Sequence, residues 1–209
     1  MKKTLVKICG ITNREDAEIA VTSGADALGF IFYPKSPRFI KTEDARKICE
    51  HIPGNILKIG VFVDADFEEL TALHTENFLN YFQLHGNESP DLCRRFPGKI
   101  IKAFRINNNF NEDVLKDYSA CSMFLFDTKV EGLYGGSGVA FDWNILRLIP
   151  RTRPVILSGG LNEDNVAEAI RIVKPYMVDV SSAVESHPGK KDAAKIARFI
   201  KSCKFESSG

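Results

Sequence analysis

The sequence has no long apolar run and almost no net charge. No apolar run approaches the roughly 18 residues that a membrane-spanning helix needs, and Met1-Lys2-Lys3 leads directly into a predicted strand instead of an export signal. The 28 Lys and Arg residues almost balance the 27 Asp and Glu residues, so the net charge is +1. This balance gives no electrostatic basis for binding nucleic acid or an anionic membrane, and we expect neither as a partner.

Paired cysteines are also lacking. The five cysteines stand at positions 9, 49, 93, 121 and 203, an odd number without any C-x-x-C pair. This pattern argues against a zinc site or a disulfide framework, so we expect no metal centre. Free cysteines are typical of a reducing compartment, and we predict a cytoplasmic protein.

The composition itself is that of an ordinary globular protein. Of the 209 residues, 44% are hydrophobic and 26% are charged, which suits one large domain or two small ones. Because no linker, low-complexity tract or shift in composition divides the chain, we predict a single domain over residues 1–203. The remaining residues, 204–209, are predicted to be a frayed tail.

Strand-like and helix-like stretches alternate along the whole chain. Apolar runs predict eight strands, at residues 3–9, 25–32, 57–63, 79–84, 99–104, 122–127, 154–157 and 176–180. Helices are predicted from about Arg14 to Ser23 with a cap at Thr12 or Asn13, from a cap at Thr42, from about Asp66, from Ser89-Pro90, after Asn111, around Asp142 to Leu148, from a cap at Asn162, and from about Asp192.

The strands are continuously apolar, which favours a parallel sheet covered by helices on both faces. Eight strand–helix units are the number that closes a (β/α)8 barrel, so we predict an α/β protein with a single TIM barrel. A doubly wound open sheet is the alternative.

The first predicted strand ends in a thiol. Because side chains alternate along a strand, Leu5, Lys7 and Cys9 share one face. Cys9 is the last residue before the chain leaves the sheet, which is where parallel α/β folds place their chemistry. A free cysteine is more often a small buried hydrophobe, so position alone favours a structural role for Cys9.

Polar residues and glycines follow the carboxyl ends of the other strands, where a barrel would have its active site. Together with Cys9 they are Arg38, Gln83, His85, Asp127, Gly159, Gly160, Asp179, Ser181 and Ser182. The last two loops predict a phosphate site, because loops after strands seven and eight commonly bind phosphate through backbone N–H groups. A simple turn and a helix cap are the alternatives there.

Asp127 follows Phe124-Leu125-Phe126, where a carboxylate is costly to bury unless it is paired or functional. His85 fits a structural histidine and a ligand equally well.

A glycine-rich loop occupies residues 132–138. It is similar to a phosphate cradle but lacks the Gly-Lys-Ser/Thr ending of a P-loop. We therefore interpret it as a mobile lid or a flexible connector.

Taken together, these segments resemble the phosphoribosylanthranilate isomerase family. The matching segments are Lys7-Ile8-Cys9-Gly10-Ile11-Thr12, Gly29 to Arg38, Gln83-Leu84-His85-Gly86, Asp127, Gly135-Gly136-Ser137-Gly138, Phe141-Asp142-Trp143, Leu157-Ser158-Gly159-Gly160-Leu161 and Asp179-Val180-Ser181-Ser182. They cover nearly the whole chain, from Lys7 to about Lys191, and are highly specific in combination. One departure is Ala183, where the family usually has glycine, and its methyl group could crowd a backbone contact to phosphate.

The resemblance implies an Amadori rearrangement of N-(5-phosphoribosyl)anthranilate to 1-(2-carboxyphenylamino)-1-deoxyribulose 5-phosphate in tryptophan biosynthesis. It implies that Asp127 is the general acid, that Cys9 is the base and that Arg38 pairs with the anthranilate carboxylate. Gln83, His85 and Asp179 would line the site. No cofactor is implied, because a cationic imine intermediate is itself the electron sink. The expected partner is therefore a small phosphoribosyl substrate, and the expected oligomeric state is a monomer or a homodimer.

Two rival classes remain at this point. Another phosphosugar barrel enzyme, such as an epimerase or indole-glycerol-phosphate synthase, would need metal ligands or a catalytic Lys-Glu pair in place of Cys9 and Asp127. A non-catalytic phosphate-binding barrel would bind the ligand without turning it over.

The charge state of the Cys9 thiol follows from two opposing effects. A cationic Lys7 on the same face lowers the pKa of a thiol, whereas burial raises it. Because a base must be available at neutral pH, we predict that the Cys9 pKa lies below the usual value of about 8.5.

Overall fold

The computed structural model describes residues 3–107, 109–128 and 143–205. The strands are β1 Leu5–Cys9, β2 Ala27–Ile31, β3 Leu57–Phe62, β4 Tyr81–Leu84, β5 Ile100–Arg105, β6 Met123–Asp127, β7 Val155–Ser158, β8 Met177–Val180, β9 Glu185–His187 and β10 Lys190–Lys191. The helices are α1 Arg14–Ser23, α2 Thr42–Cys49, α3 Phe67–Glu76, α4 Pro90–Arg94, α5 Val114–Asp117, α6 Ile145–Leu148, α7 Val166–Val173 and α8 Ala193–Phe205, and a short 3₁₀ helix spans Ser182–Val184.

Strands β1 to β8 form one closed parallel barrel, in the order of the sequence. Strand β1 closes it by pairing with both β2 and β8, so that Cys9 lies beside Gly29 and Lys7 lies beside Asp179. The prediction of a TIM barrel is therefore confirmed, and the open sheet is excluded because β1 is not an edge strand.

The interior of the barrel changes character along its axis. Its apolar part is a buried cluster separate from the larger core under the helices, and consists of Ala27, Ile59, Ile101, Ala103, Met123, Leu125, Ile156 and Met177. Because alternate residues of a strand share a face, the next inward positions can be read from the sequence, and several of them are polar. They include Gln83 two residues after Tyr81, Asp127 two after Leu125, and Asp179 two after Met177. The barrel therefore has an apolar floor and a polar mouth.

Side-chain caps start several helices where the sequence predicts them. The Asn13 side chain accepts a hydrogen bond from the Asp16 amide at 2.9 Å, and α1 follows it directly. Asp66 caps α3 and Ser89 caps α4 in the same way. Each cap satisfies an N–H group that has no partner within its own helix.

Two predicted caps are wrong. Thr42 is the first residue of α2, and Lys41 is the N-cap, without a side-chain hydrogen bond. Helix α7 begins at Val166, because the Asn162 carboxamide oxygen accepts from the Asp164 and Asn165 amides and forms a turn before the helix. Asn and Asp side chains form such local turns as readily as caps, and spacing alone does not separate the two.

The end of the chain also differs from expectation. Helix α8 runs through Phe205, so residues 204 and 205 are helical, not frayed. Buried apolar residues continue at helical spacing up to Cys203 and hold the last turns against the barrel. Residues 206–209 lie outside the described part of the chain, as do the glycine loop at 132–138 and Asp142.

A buried ion pair braces the loops after β3 and β4. Lys102 Nζ, on β5, donates to Glu88 Oε2 at 2.9 Å and to the Gly86 carbonyl at 2.7 Å. The other carboxylate oxygen of Glu88 accepts from the backbone amides of Asp64 and Gly86. Both charged side chains are almost fully buried, so each depends on the other for compensation.

We expect Lys102→Met to lower the free energy of unfolding by about 3–5 kcal/mol, because it leaves the Glu88 carboxylate buried without its cation. Lys116→Met is the matched control, since Lys116 pairs with Asp113 on the surface and exposed pairs contribute little. Urea unfolding followed by circular dichroism measures both variants. Indistinguishable midpoints would show that the Lys102–Glu88 pair does not brace these loops.

Candidate active site

A fully buried ammonium group lies at the centre of the barrel mouth. Lys7 Nζ donates to Asp179 Oδ2 on the neighbouring strand β8 at 3.1 Å. It also donates to Gln83 Oε1, which reaches across the barrel from β4, at 2.5 Å. Burial favours the neutral amine, but Asp179 and Cys9 together outweigh it, so the pKa of Lys7 is raised and Lys7 is charged.

The hydrogen bonds continue from Gln83 to the far side of the mouth. Gln83 Nε2 lies 3.0 Å from His85 Nδ1, and His85 Nε2 lies 3.3 Å from Asp127 Oδ2. An unbroken chain of side chains therefore runs from Asp179 to Asp127 by way of Lys7. The sequence singled out the other four residues, but it did not indicate that Lys7 connects them.

Cys9 lies beside Lys7 on β1 and is buried. Its neighbour on β2 is Gly29, where a Cβ atom would stand 2.7 Å from Cys9 Sγ and 2.9 Å from Lys7 Cε. Any side chain at position 29 would therefore displace the thiol or the ammonium. Because Gly29 has no side chain, the Cys9 thiol and the Lys7 side chain both have room beside it.

Burial raises the pKa of the Cys9 thiol, and Asp179 adds to the effect, while Lys7 and Lys191 oppose it. The prediction of a lowered pKa is therefore wrong. Its physical reason is that the Lys7 charge is already neutralised by Asp179, whereas the desolvation of Cys9 is nearly complete. The resting site holds a neutral thiol.

A second ionic cluster lies on the other side of Cys9. Arg38 binds Glu185 through two parallel hydrogen bonds, from Nε to Oε1 at 2.8 Å and from Nη2 to Oε2 at 2.7 Å. Lys191 Nζ donates to the same carboxylate at 2.9 Å and to the Ser181 carbonyl at 3.2 Å. Burial raises the pKa of Glu185, but its bonds to Arg38 and Lys191 outweigh it and lower that pKa overall.

Glu185 and Lys191 belong to the β9–β10 hairpin, which the sequence analysis missed. The two strands are very short, and no apolar alternation marks them. The available signal was the Pro188-Gly189 dipeptide, a typical turn pair between two short polar segments.

The predicted phosphate residues lie on adjacent loops, after the paired strands β7 and β8. Gly159 and Gly160 have positive φ angles of 91° and 66°, a conformation that glycine adopts without strain. Gly160 is exposed, and no heavy atom lies within 4 Å of the place its Cβ would take. Ser182 is exposed at the start of the 3₁₀ helix, whereas the Ser181 hydroxyl donates to the Cys9 carbonyl at 3.1 Å.

Ala183 fits this corner without strain. The non-glycine residues with positive φ in the described chain are Asp64, Asn77 and Lys174, so Ala183 has an ordinary backbone conformation. Its side chain is exposed within the 3₁₀ helix. The methyl group therefore needs no rearrangement of the loop.

Neither a metal-binding cluster nor a membrane-spanning helix occurs among the described residues. Within residues 3–107, 109–128 and 143–205, no group of three or more His, Cys, Asp and Glu side chains could hold a metal ion. The same ranges contain no helix that is long and apolar enough to cross a membrane. All five cysteines are free and buried.

A closed (β/α)8 barrel with its polar groups at the carboxyl ends of the strands defines a barrel enzyme. The family model of N-(5'-phosphoribosyl)anthranilate isomerase matches residues 6–202. A relative of that name from Trichlorobacter lovleyi is 47% identical over 202 residues, which is 95% of this chain and 97% of the relative. The chain belongs to the phosphoribosylanthranilate isomerase family.

Solved structures agree with this assignment. The crystal structure of phosphoribosyl anthranilate isomerase from Thermotoga maritima has a TM-score of 0.87 and 47% identity, over 97% of this chain and 99% of that one. A second isomerase structure, in complex with reduced 1-(o-carboxyphenylamino)-1-deoxyribulose 5-phosphate, has a TM-score of 0.85 and 42% identity over the same shares. A third, of monomers generated from the dimeric isomerase of Thermotoga maritima, has a TM-score of 0.82 and 42% identity, again over the same shares.

We expect alkylation of Cys9 to follow a titration above the ordinary thiol pKa of about 8.5, because burial outweighs the neighbouring cations. Lys7→Met should move the titration to still higher pH, since it removes a cation and leaves Asp179 uncompensated. The exposed Lys47 provides the control variant Lys47→Met, which should leave the curve unchanged. Rates of carbamidomethylation against pH, resolved by peptide mass spectrometry, measure this. A wild-type midpoint below 8.5 would reverse the direction stated for Cys9.

Proposed function

We propose that this isomerase converts N-(5-phosphoribosyl)anthranilate to 1-(2-carboxyphenylamino)-1-deoxyribulose 5-phosphate in tryptophan biosynthesis, with Asp127 as general acid and Cys9 as general base. The observation that carries the proposal is the placement of Cys9 and Asp127 at one barrel mouth, where hydrogen-bonded side chains connect Lys7, beside Cys9, to Asp127. Membership of the family supports the same reaction.

Ring opening needs a proton on the furanose oxygen. Asp127 supplies it, the bond between C1 and the ring oxygen breaks, and the anilinic nitrogen provides the electrons that form a cationic imine at C1. His85 Nε2, 3.3 Å from Asp127 Oδ2, holds that carboxyl group in position. A positioned acid of this kind contributes roughly 10²–10⁴-fold.

Proton removal from C2 is the task of Cys9. The thiol is neutral in the resting site, because burial raises its pKa. A cationic imine beside it favours the thiolate, as any nearby positive charge does. The thiolate therefore forms when the imine is in place: the thiol proton is released to solvent at the barrel mouth, and the partly exposed Asp127 carboxylate regains a proton from solvent. It takes the C2 proton, the electron pair moves to the imine nitrogen, and the resulting enol becomes the ketone when C1 gains a proton and the C2 hydroxyl loses one.

Asp179 offers a place for that hydroxyl. Its Oδ2 is bound by Lys7, while its buried Oδ1 has no hydrogen-bond donor among the described residues. A buried carboxylate oxygen without a donor is costly, and a substrate hydroxyl beside Cys9 would satisfy it. Asp179 would then hold C2 against the base.

The two anionic ends of the substrate have separate candidate groups at the mouth. Arg38 uses Nε and Nη2 on Glu185, and no described residue accepts a hydrogen bond from its Nη1. The outer side of the guanidinium can therefore bind the anthranilate carboxylate. Gly159, Gly160, Ser181 and Ser182 would hold the phosphate through backbone N–H groups and the Ser182 hydroxyl, since the first amides of a helix lack intrahelical acceptors.

Other properties stay predictions. We expect no metal and no cofactor, because the imine carries the electrons. The free cysteines favour the cytoplasm, and nucleic acid is not an expected partner. The expected state is a monomer or a homodimer, and the dimeric isomerase of Thermotoga maritima supports the latter.

Cys9→Ala and Asp127→Asn should each lower kcat by about 10²–10⁴-fold or more, because each removes a proton-transfer group. The loss of anthranilate fluorescence during turnover measures the rate. Cys49→Ala is the matched control, since Cys49 is a buried cysteine of α2 away from the mouth. A folded Cys9 or Asp127 variant with near-normal kcat would remove that residue from the mechanism, and ligand binding by the wild type without fluorescence loss would indicate a non-catalytic barrel.

Arg38→Ala and Gly160→Val should separate the two ends of the substrate. We expect Arg38→Ala to weaken binding of the reduced product analogue on the order of 10- to 100-fold, through loss of a charged bidentate contact, and to leave inorganic phosphate nearly unaffected. Gly160→Val should weaken phosphate, because valine does not tolerate the positive φ of the loop. Titration calorimetry measures both ligands, with Arg38→Lys to separate charge from geometry. Equal losses of both ligands in both variants would mean that the substrate lies the other way round.

A further inference from the structure

We infer that Gln83 is a positioning residue. Its carboxamide oxygen accepts from the Lys7 ammonium, which turns its NH₂ group toward His85 Nδ1. The His85 imidazole therefore carries its hydrogen on Nε2 and donates a hydrogen bond to Asp127. The inference rests on the proposed role of Asp127 as the acid. It concerns which atoms hold protons in the resting site, which can be measured without any turnover.

The direction of these hydrogen bonds is set at Lys7, because an ammonium group has donors and no acceptor. Its side chain is fully buried, and its Nζ contacts Asp179 Oδ2 and Gln83 Oε1. If the Gln83 carboxamide were turned over, its NH₂ group would face the ammonium at 2.5 Å, with hydrogens opposed on both sides. The amide oxygen of Gln83 must therefore point to Lys7.

The same reasoning then fixes the proton on His85. Once Oε1 points to Lys7, Gln83 presents Nε2–H to His85 Nδ1 at 3.0 Å. Nδ1 must accept that bond with its lone pair, so the neutral ring carries its hydrogen on Nε2. That hydrogen lies toward Asp127 Oδ2, 3.3 Å from Nε2. Each step follows from the donors and acceptors that the groups possess.

This arrangement has two consequences for the acid. A proton on Asp127 Oδ2 would face the Nε2–H of His85, so the proton that Asp127 delivers is confined to its other oxygen, Oδ1. A second proton on His85 Nδ1 would face the Gln83 NH₂ group, which cannot turn away without facing Lys7. His85 is therefore held as a donor toward the acid through its Nε2–H.

A purely structural role for Gln83 makes a different prediction. If Gln83 only satisfied the buried Lys7, any residue that accepts from the ammonium would serve, and His85 would have no preferred tautomer. Gln83→Glu distinguishes the two roles. Its carboxylate still accepts from Lys7, but its second oxygen is an acceptor that faces Nδ1 and requires a hydrogen there.

The experiment is a long-range ¹H–¹⁵N correlation spectrum of the substrate-free protein with ¹⁵N-labelled histidine. The His85 signals are assigned by their loss in His85→Asn, and His74, which packs against Phe82 and Phe96, is the internal control. We expect the Nε2–H tautomer at His85 in the wild type, an Nδ1-protonated ring in Gln83→Glu, and a mixture of tautomers in Gln83→Met. His74 should be unchanged in all of them.

Kinetics provides the second measurement. In both Gln83 variants kcat should fall on the order of 10- to 100-fold with little change in KM, as for other groups that orient a working histidine. An Nδ1–H tautomer in the wild type, or an unchanged tautomer in Gln83→Glu, would overturn the inference. The wild-type spectrum needs no Gln83 variant, so poor folding of Gln83→Glu leaves the test intact. Absence of turnover in the wild type would refute the proposed function and leave the tautomer result standing.

Discussion

The buried Lys7 ammonium is the constraint on which the rest of the mouth depends. A charge without water is costly unless it is paired and hydrogen-bonded, and Lys7 meets this requirement with a carboxylate from β8 and a carboxamide from β4. These partners are drawn from strands beside and across the barrel, so the pairing ties distant parts of the chain together. Removal of either partner would leave an uncompensated group in a closed space, which explains why the upper layer of the barrel is polar and specific.

Cys9 lies between two ionic groups that differ in their ratio of cations to carboxylates. On one side is Lys7, whose charge is neutralised by Asp179. On the other side Glu185 is shared by two cations, Arg38 and Lys191. Neither side supplies enough free positive charge to overcome the burial of the thiol. Cys9 is therefore neutral in the resting site, and in the proposed reaction the cation that favours its thiolate is the substrate's own imine.

Asp127 differs from Cys9 in how it is held. Its Oδ2 lies 3.3 Å from His85 Nε2, at the end of a chain of side chains that begins at Lys7. The proposed base, Cys9, is thus linked to the buried ammonium through neighbouring strand positions, and the proposed acid, Asp127, is linked to it through Gln83 and His85. Gly29 makes this possible sterically, because only a residue without Cβ leaves room for both Cys9 Sγ and Lys7.

The sequence by itself determined the repeating part of this protein, namely the eight strand–helix units, the barrel they close and the polar residues at the strand ends. Those features follow from local periodicity and from segments such as Gln83-Leu84-His85-Gly86, which one stretch of chain carries alone. The tertiary structure decided what depends on residues far apart. Arg38 meets Glu185 across 147 positions and Lys7 meets Asp179 across 172, and no local pattern contains either pair. The direction of the Cys9 pKa was decided there too, because it is a balance between burial and charges that exist only once the barrel has closed.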